Sequence, residues 1–338
     1  MEDTPRVLGY RWPAEWEPHA ATWLSWPHNR DTWPGVFEAA LDEYVQFVKA
    51  IACFEPVKIL ASGLAADTAC ALVGSVANVT IHDVATNDAW IRDHGPTFLR
   101  HDDLHHVSAL VNWDYNAWGE KYPPFDADDR VSSQVAVLSA RKQFIPGFVL
   151  EGGAIEGNGA GIALTTESCV LNSNRNNRTT RSAFECLLSD YLAIDHIVWL
   201  EGEIPGDDTD GHVDQIARFV SEKTIVCATR GDIPALTANM ELIRHRGVGL
   251  TAIELPMPAE KRLGEMRLPA SYANFYVANG AVFVPQFDDA KDSEACSILG
   301  EHFVDREIIG LSAGKLVAGL GAFHCLTQQE CLTSRRPN

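Results

Sequence analysis

No run of about 18 or more apolar residues occurs in this chain, so the sequence contains no candidate for a membrane-spanning helix. The first six residues are mostly polar and lack the apolar stretch of a secretory signal. Hydrophobic residues make up 46% and charged residues 22% of 338 positions, which are ordinary values for a globular protein. We therefore expect a folded protein rather than a fibre, a disordered chain or a membrane protein.

Basic residues are also scarce. The chain has 27 Lys and Arg against 46 Asp and Glu, which gives a net charge of −19. A surface this acidic repels phosphate backbones and anionic lipids, so nucleic acids and membranes are poor partners. The same charge attracts a small cationic ligand, although it is equally consistent with a role in solubility.

The eight cysteines form no C-x-x-C pair, and no H-E-x-x-H or zinc-ribbon spacing is present. Such a composition is typical of a reduced, cytoplasmic protein. Four cysteines lie within apolar runs and are predicted to be buried: Cys53, Cys169, Cys186 and Cys227.

Strand and helix patterns alternate along the chain and indicate an α/β fold. A strand–helix–strand unit recurs about every 60–75 residues, which suggests a structural repeat. Because no linker rich in Ser, Gly or Pro divides the chain, we expect a single domain over 1–338. The predicted strands are 57–62, 79–84, 162–171, 196–200, 223–229, 250–255, 281–287 and 307–311, and the predicted helices are 64–76, 181–193, 235–246 and 292–303.

A glycine-bearing segment near the end of the chain, 319–329, contains Cys325. Glycines allow a backbone to approach a ligand closely, and a cysteine thiolate is a strong nucleophile once its pKa is lowered. The segment by itself is equally consistent with a buried core cysteine beside a turn.

A second segment, 207–214, combines three acids of a loop with His212 and Asp214. In a strand, these last two side chains would point to the same face, where they could transfer protons or hold a metal ion. A solvated acidic turn before an ordinary strand is the alternative.

Two further polar segments interrupt the strand and helix pattern. Residues 87–96 carry Asp88, Trp90, Arg92 and Asp93, which offer charged hydrogen bonds and a flat apolar wall. In Glu151-Gly152-Gly153, an acid at a strand end could orient a histidine, or could lie on a bulge facing solvent. Arg92 is expected to brace its own loop.

These residues together favour a cationic, planar substrate that only donates hydrogen bonds. A guanidinium group has this character, and carboxylates match its geometry two bonds at a time. A thiolate could then attack its central carbon.

Six segments carry a recognisable pattern: 12–19 (WPAEWEPH), 23–27 (WLSWP), 87–96 (NDAWIRDHGP), 150–153 (LEGG), 211–219 (GHVDQIARF) and 324–329 (HCLTQQ). In this order they resemble the agmatine deiminase family, which is grouped with the Porphyromonas-type peptidyl-arginine deiminases. The resemblance covers essentially the whole chain.

This resemblance implies a pentein fold, in which five ββαβ-type units surround a pseudo-fivefold axis as an α/β propeller. It makes Cys325 the nucleophile, His212 the general acid and base, Asp93 and Asp214 the guanidinium clamp, and Glu151 the acid that holds the histidine. Trp90 is expected to wall the methylene chain of the substrate. The chain departs from the family pattern at 210, where Asp replaces an expected Asn, and at 94 and 321–324.

The expected reaction is hydrolysis of agmatine to N-carbamoylputrescine and ammonia through a covalent amidino-cysteine, without a metal or organic cofactor. The alternatives are a free-arginine or peptidyl-arginine deiminase, an amidinotransferase or dimethylarginine hydrolase, and a guanidine-binding protein without activity. Agmatine is expected to be preferred to arginine, because Asp88 and the acids of 207–210 are uncompensated and no evident arginine could receive the α-carboxylate of arginine. Asp208 is the predicted receptor of the distal amine.

Overall fold

The computed structural model of the chain describes residues 3–103, 107–202, 204–246 and 249–332. In these ranges no helix has both the length and the hydropathy that crossing a membrane requires. The strands are β1 Tyr10–Arg11, β2 His19–Ser25, β3 Val57–Ala61, β4 Val79–Asp83, β5 Thr97–His101, β6 Ala109–Val111, β7 Lys142–Phe144, β8 Ile155–Gly157, β9 Ile162–Thr166, β10 His196–Leu200, β11 Ala217–Ser221, β12 Thr224–Thr229, β13 Thr251–Pro256, β14 Lys261–Leu263, β15 Met266–Leu268, β16 Tyr276–Ala278, β17 Ala281–Gln286, β18 Glu307–Ser312 and β19 Gln328–Cys331.

Helices connect many of these strands. The α-helices of the described ranges are α1 Phe37–Ile51, α2 Gly63–Val73, α3 Ile91–His94, α4 Ala117–Glu120, α5 Val131–Ser139, α6 Glu167–Val170, α7 Arg181–Leu192, α8 Pro234–Arg246 and α9 Asp292–His302. Short 3-10 helices cover Asp128–Arg130, Gly152–Ala154, Val213–Gln215, Tyr272–Asn274 and Leu316–Gly319.

Five sheets in the described ranges repeat one pattern: an antiparallel pair, a crossover helix and then a parallel strand. The successive modules are β5-β6-α5-β7, β8-β9-α7-β10, β11-β12-α8-β13 and β16-β17-α9-β18. The fifth module joins the two ends of the chain, because β19 pairs antiparallel with β2, and β2 then continues through α1 to the parallel strand β3. Parallel neighbours need such a crossover, since a tight turn cannot connect them.

The predicted strand–helix–strand units are confirmed, with most boundaries shifted by one to three residues. The module β5-β6-α5-β7 and the helix α1 had not been predicted. Apolar residues from sheets and crossover helices form four core clusters, and the largest contains buried residues of α1, β3, β17 and α9.

One local prediction was wrong. The strand predicted over 162–171 ends at Thr166, whose hydroxyl donates to the carbonyl of Gly211 at 2.6 Å, and the chain then turns into α6. The segment Gly211–Asp214 is not a strand, so the condition under which His212 and Asp214 would share a strand face is not met. Gly211 has a φ of +105°, which a regular strand does not adopt, and Asp214 lies in a 3-10 helix.

The burial of the four cysteines predicted to be buried is confirmed for two of them and wrong for the other two. Cys169 and Cys227 are buried as expected, whereas Cys53 and Cys186 are exposed. Cys53 lies in the turn after α1, and Cys186 projects from the opposite side of α7 to the buried residues Phe184 and Leu188. All eight cysteines lie within the described residues, and all are free thiols.

Replacement of Phe47 should test the link between α1 and the segment of Cys325. Phe47 is fully buried and stacks on Phe323, with ring centroids 4.2 Å apart. Phe47→Ala is expected to reduce the free energy of unfolding by about 3–5 kcal/mol in urea titrations. Val137→Ala, at a position that is 78% exposed, is the control and should change it by less than about 0.5 kcal/mol. Equal effects of the two replacements would contradict this account of the core.

Candidate active site

One cavity of about 860 Å³ contains six of the eight predicted site residues in its lining: Asp88, Trp90, Asp93, Asp208, His212 and Cys325. The other two, Glu151 and Asp214, are buried behind this lining. The structure therefore brings together residues that are separated by more than 200 positions in the sequence.

In each of the five modules, the segment directly before the first strand contributes to this site. These segments carry Asp93 before β5, Glu151 before β8, Asp214 before β11, Asn274 before β16 and Cys325 before β19. Four of the five residues had been predicted from the sequence. The fifth, Asn274, had not, although the structural repeat indicates a residue at this place.

The thiol of Cys325 is buried between a carboxylate and an amide. Its Sγ lies 3.4 Å from Oδ2 of Asp214 and accepts a hydrogen bond from Nδ2 of Asn274 at 3.0 Å. Burial, together with the negative charges of Asp214 and Asp93, raises the pKa of Cys325 well above its ordinary value. The site thus favours the neutral thiol until a positive charge arrives.

Asp214 is held by His324, the residue before Cys325. His324 Nδ1 lies 2.7 Å from Oδ2 of Asp214, and its Nε2 lies 3.0 Å from Oε2 of Glu15. Burial by itself would raise the pKa of Asp214, but the contact with His324 and the charges of His212 and Arg218 keep this pKa below its ordinary value. Oδ1 of Asp214 has no hydrogen-bond partner among the described residues.

Asp93 has a different environment. Its carboxylate accepts hydrogen bonds from the backbone N–H of Gly153 and from Nε1 of Trp118, both at 3.0 Å. Burial and the neighbouring charges of Asp214 and Glu151 raise the pKa of Asp93 to about 6. The two carboxylates nearest the thiol therefore differ in acidity.

His212 lies between several anionic groups. Nδ1 is 3.7 Å from Oδ1 of Asp93, and the ring also adjoins Glu151 and Cys169. Burial favours the neutral ring, but the charge of Asp93, the contact with Cys169 and the charge of Glu151 outweigh it and raise the pKa of His212 well above its ordinary value. The imidazole is therefore protonated near neutral pH.

Glu151 contacts a second cation. Nε of Arg175 donates to Oε1 of Glu151 at 2.6 Å, and both side chains are almost completely buried. Glu151, Cys169 and His212 have ligand atoms within 4.8 Å of one another and form a possible metal-binding group. The guanidinium of Arg175 opposes this use, because it occupies the carboxylate and repels a cation.

Two tryptophans and Asp88 line the cavity beside Cys325. A Cβ added at Gly321 would lie 2.6 Å from the ring of Trp90 and 3.2 Å from Sγ of Cys325, so only glycine permits this packing. Trp118 has a φ of +56°, a left-handed conformation that directs its indole N–H to Asp93. Asp88 accepts from the hydroxyl of Thr32 at 2.5 Å, and burial raises its pKa.

The acids at the mouth are less isolated than the sequence indicated. Asp210 forms ion pairs with Arg175 and with Nζ of Lys121, the latter at 2.9 Å. The expectation that the acids of this loop are uncompensated was wrong for Asp210, because the segments that follow α4 and α6 supply these cations. Asp208 lines the cavity and accepts a hydrogen bond from the hydroxyl of Tyr122.

Several contributors to the site had not been predicted: Asn274, His324, Trp118 and Arg175. His324 adjoins the nucleophile in a quoted motif, so its position was a usable signal. Arg92 had been expected to brace its own loop, but it instead donates to the carbonyl of His324, to Gln329 and to Glu15, and so links distant segments.

Comparison with known proteins places the chain in a family. The family model of the Porphyromonas-type peptidyl-arginine deiminases matches residues 11–331. The agmatine deiminase of Pseudomonas syringae pv. tomato is 35% identical, and the match covers 98% of both chains.

Two solved structures of similar length are also close. The agmatine deiminase of Enterococcus faecalis superposes with a TM-score of 0.91, at 30% identity and 98% coverage of both chains. A cysteine-to-serine variant of the C. jejuni agmatine deiminase with its substrate bound has a TM-score of 0.89, at 30% identity and coverage of 96% and 97%. The chain adopts the same α/β fold and belongs to the agmatine deiminase family.

Proposed function

We propose that this protein hydrolyses agmatine to N-carbamoylputrescine and ammonia. The observation that carries the proposal is the thiol of Cys325, which is buried 3.4 Å from the Asp214 carboxylate and shares a cavity with Asp93 and His212. Two carboxylates beside a thiol suit a guanidinium, whose N–H groups they can accept while its central carbon faces the sulfur.

The positive charge of the substrate has a role in activating the nucleophile. Because the pKa of Cys325 is raised by burial and by two carboxylates, the free enzyme holds little thiolate. A guanidinium bound between Asp93 and Asp214 neutralises these charges and favours ionisation of the thiol. The thiol releases its proton to water in the cavity, the thiolate adds to the guanidinium carbon, and a new S–C bond forms.

His212 handles the protons of both half-reactions. Its raised pKa keeps it protonated near neutrality, so that it donates a proton to the departing nitrogen and ammonia leaves. The C–N bond breaks at this step and leaves an amidino-cysteine. Neutral His212 then takes a proton from water, which attacks the same carbon, expels the thiolate of Cys325 and leaves the ureido product.

Other residues position these groups. We assign Glu151 to the orientation of His212, with Arg175 fixing the carboxylate from the opposite side. Trp90 and Trp118 form apolar walls for the methylene chain. Asp88 and Asp208 face the distal amine in this proposal.

We further propose that the five modules surround a pseudo-fivefold axis and form one catalytic domain over 1–338. The placement of one site segment before the first strand of every module supports this arrangement. Cytoplasmic location, assembly into a homo-oligomer and independence of cofactors stay predictions. Free-arginine or peptidyl-arginine deimination by the same groups is the alternative.

The reaction is tested by ammonia release and ureido formation from agmatine, free arginine, methylated arginine and peptidyl arginine. Agmatine should give the highest kcat/KM, and prolonged treatment with a chelator should leave it unchanged. Cys325→Ala should abolish turnover, a loss of at least about 10⁴-fold, because it removes the thiol that contacts the clamp carboxylate of Asp214. Ammonia release that persists in Cys325→Ala would contradict the assignment, and preference for another substrate would favour the alternative.

The pH dependence of kcat/KM should report the state of Asp93. Only its ionised form attracts a guanidinium, and its pKa is raised to about 6. Activity is therefore present above this pH and should fall about tenfold per pH unit below it. The basic limb should lie well above pH 7, because His212 must be protonated and its pKa is raised. A flat profile from about pH 4.5 to 7 would contradict the clamp role of Asp93.

Asp208→Asn should test the recognition of the distal amine. Removal of this negative charge is expected to lower kcat/KM for agmatine by about tenfold and for arginine by less, because arginine carries an α-carboxylate beside its amine. Asp67→Asn makes the same charge change at an exposed position of α2 and is the control. An equal loss for both substrates would show that Asp208 does not select between them.

A further inference from the structure

Asn274 connects the module β16-β17-α9-β18 to the segment of the nucleophile. It ends the 3-10 helix Tyr272–Asn274 and is 1% exposed. Its Oδ1 accepts from the backbone N–H groups of Ala322 and Cys325, at 3.1 and 3.3 Å. Its backbone carbonyl also accepts from the N–H of His324 at 3.1 Å.

These contacts fix which end of the amide faces the sulfur. Backbone N–H groups only donate, so the atom that receives two of them must be the amide oxygen. The other end is therefore the NH₂ group, whose Nδ2 lies 3.0 Å from Sγ of Cys325. The side chain cannot turn its oxygen toward the thiol without losing both backbone bonds.

The chemistry around Sγ makes this donor unusual. The other contacts that the structure gives Sγ are Oδ2 of Asp214, a carboxylate oxygen at 3.4 Å, and the backbone N–H of Ala322. Asp93 adds further negative charge nearby. A neutral N–H donor supplies stabilisation of a thiolate without competing with the guanidinium for either carboxylate.

We propose that Asn274 is a catalytic residue that stabilises the Cys325 thiolate through its Nδ2–H and holds the sulfur in line with the guanidinium carbon. This role rests on the proposed function, and it concerns the step in which the thiol ionises and attacks. A hydrogen bond to a thiolate is stronger than one to a thiol or a thioether. The contact therefore favours the thiolate that attacks the guanidinium carbon and the thiolate that leaves the amidino-cysteine, relative to the neutral thiol and the covalent intermediate. The effect of burial and of the two carboxylates on the pKa of Cys325 is larger, and the contact with Asn274 offsets part of it.

The test uses Asn274→Ala, which removes the amide, and Asn274→Asp, which keeps its shape and its acceptor but loses the donor. Asn239→Asp is the matched control. Asn239 is fully buried on α8, and its side chain accepts from the N–H and donates to the carbonyl of Glu201, at 2.7 and 2.9 Å, outside the cavity. All variants are first compared with the parent by circular dichroism and thermal unfolding.

The primary readout is the pH dependence of alkylation of Cys325 by iodoacetamide, followed on its own peptide by mass spectrometry because other thiols are exposed. We expect the midpoint to move upward by at least one pH unit in Asn274→Ala and further in Asn274→Asp, and to stay unchanged in Asn239→Asp. With agmatine, kcat should fall at least tenfold in both Asn274 variants, with KM changed less than about threefold.

An unchanged alkylation midpoint in a folded Asn274→Asp or Asn274→Ala protein would overturn the proposal, and so would a loss confined to KM. If only Asn274→Ala unfolds, Asn274→Asp decides, since it preserves the bonds to the backbone. Alkylation requires no turnover, so its result is independent of the substrate assay. If the parent protein fails to release ammonia from agmatine, the proposed function is rejected, and the alkylation midpoints still decide whether Asn274 stabilises the thiolate.

Discussion

The site depends on burying several carboxylates together without neutralising all of them by protons. An ionised carboxylate removed from water is strongly destabilised unless hydrogen bonds or opposite charges replace the solvent. Each of the three acids nearest the thiol has its own compensation: His324 contacts Asp214, Arg175 contacts Glu151, and two neutral N–H donors contact Asp93. This arrangement lets the site stay anionic, which is what a cationic substrate requires.

The compensation extends below the cavity through a second group of buried charges. Glu15 lies 3.0 Å from His324 and also contacts the guanidinium groups of Arg92 and Arg218, at 3.2 and 2.9 Å. Burial favours the neutral form of Glu15, but these three neighbours hold its pKa well below the ordinary value. His324 has one ring nitrogen against Glu15 and the other against Asp214, and this position fixes the clamp carboxylate.

The difference between the two clamp acids has a chemical consequence. The contact with His324 and the charges of His212 and Arg218 hold the pKa of Asp214 below its ordinary value, whereas burial outweighs the charge of His212 at Asp93 and leaves that pKa raised. Burial makes the electrostatic attraction of both for a guanidinium much stronger than it would be in water. Close packing fixes this geometry, since a Cβ at Gly153 would lie 2.6 Å from Nδ1 of His212 and 2.8 Å from Oδ1 of Asp93.

The sequence by itself determined the α/β class, many of the strands and helices, the resemblance to a family, and eight of the residues that the fold gathers at the site. Those features depend on local periodicity and on short motifs, which a single chain displays directly. It could not indicate the partners, because Arg175, Lys121 and Asn274 lie outside the quoted motifs and reach the site only through the fold. The turn after Thr166 also depended on its contact with Gly211 in a distant segment, so local pattern predicted a longer strand there. Only the tertiary structure decided which carboxylate meets which cation and which donor faces the thiol, because desolvation and charge pairing are set by distances across modules.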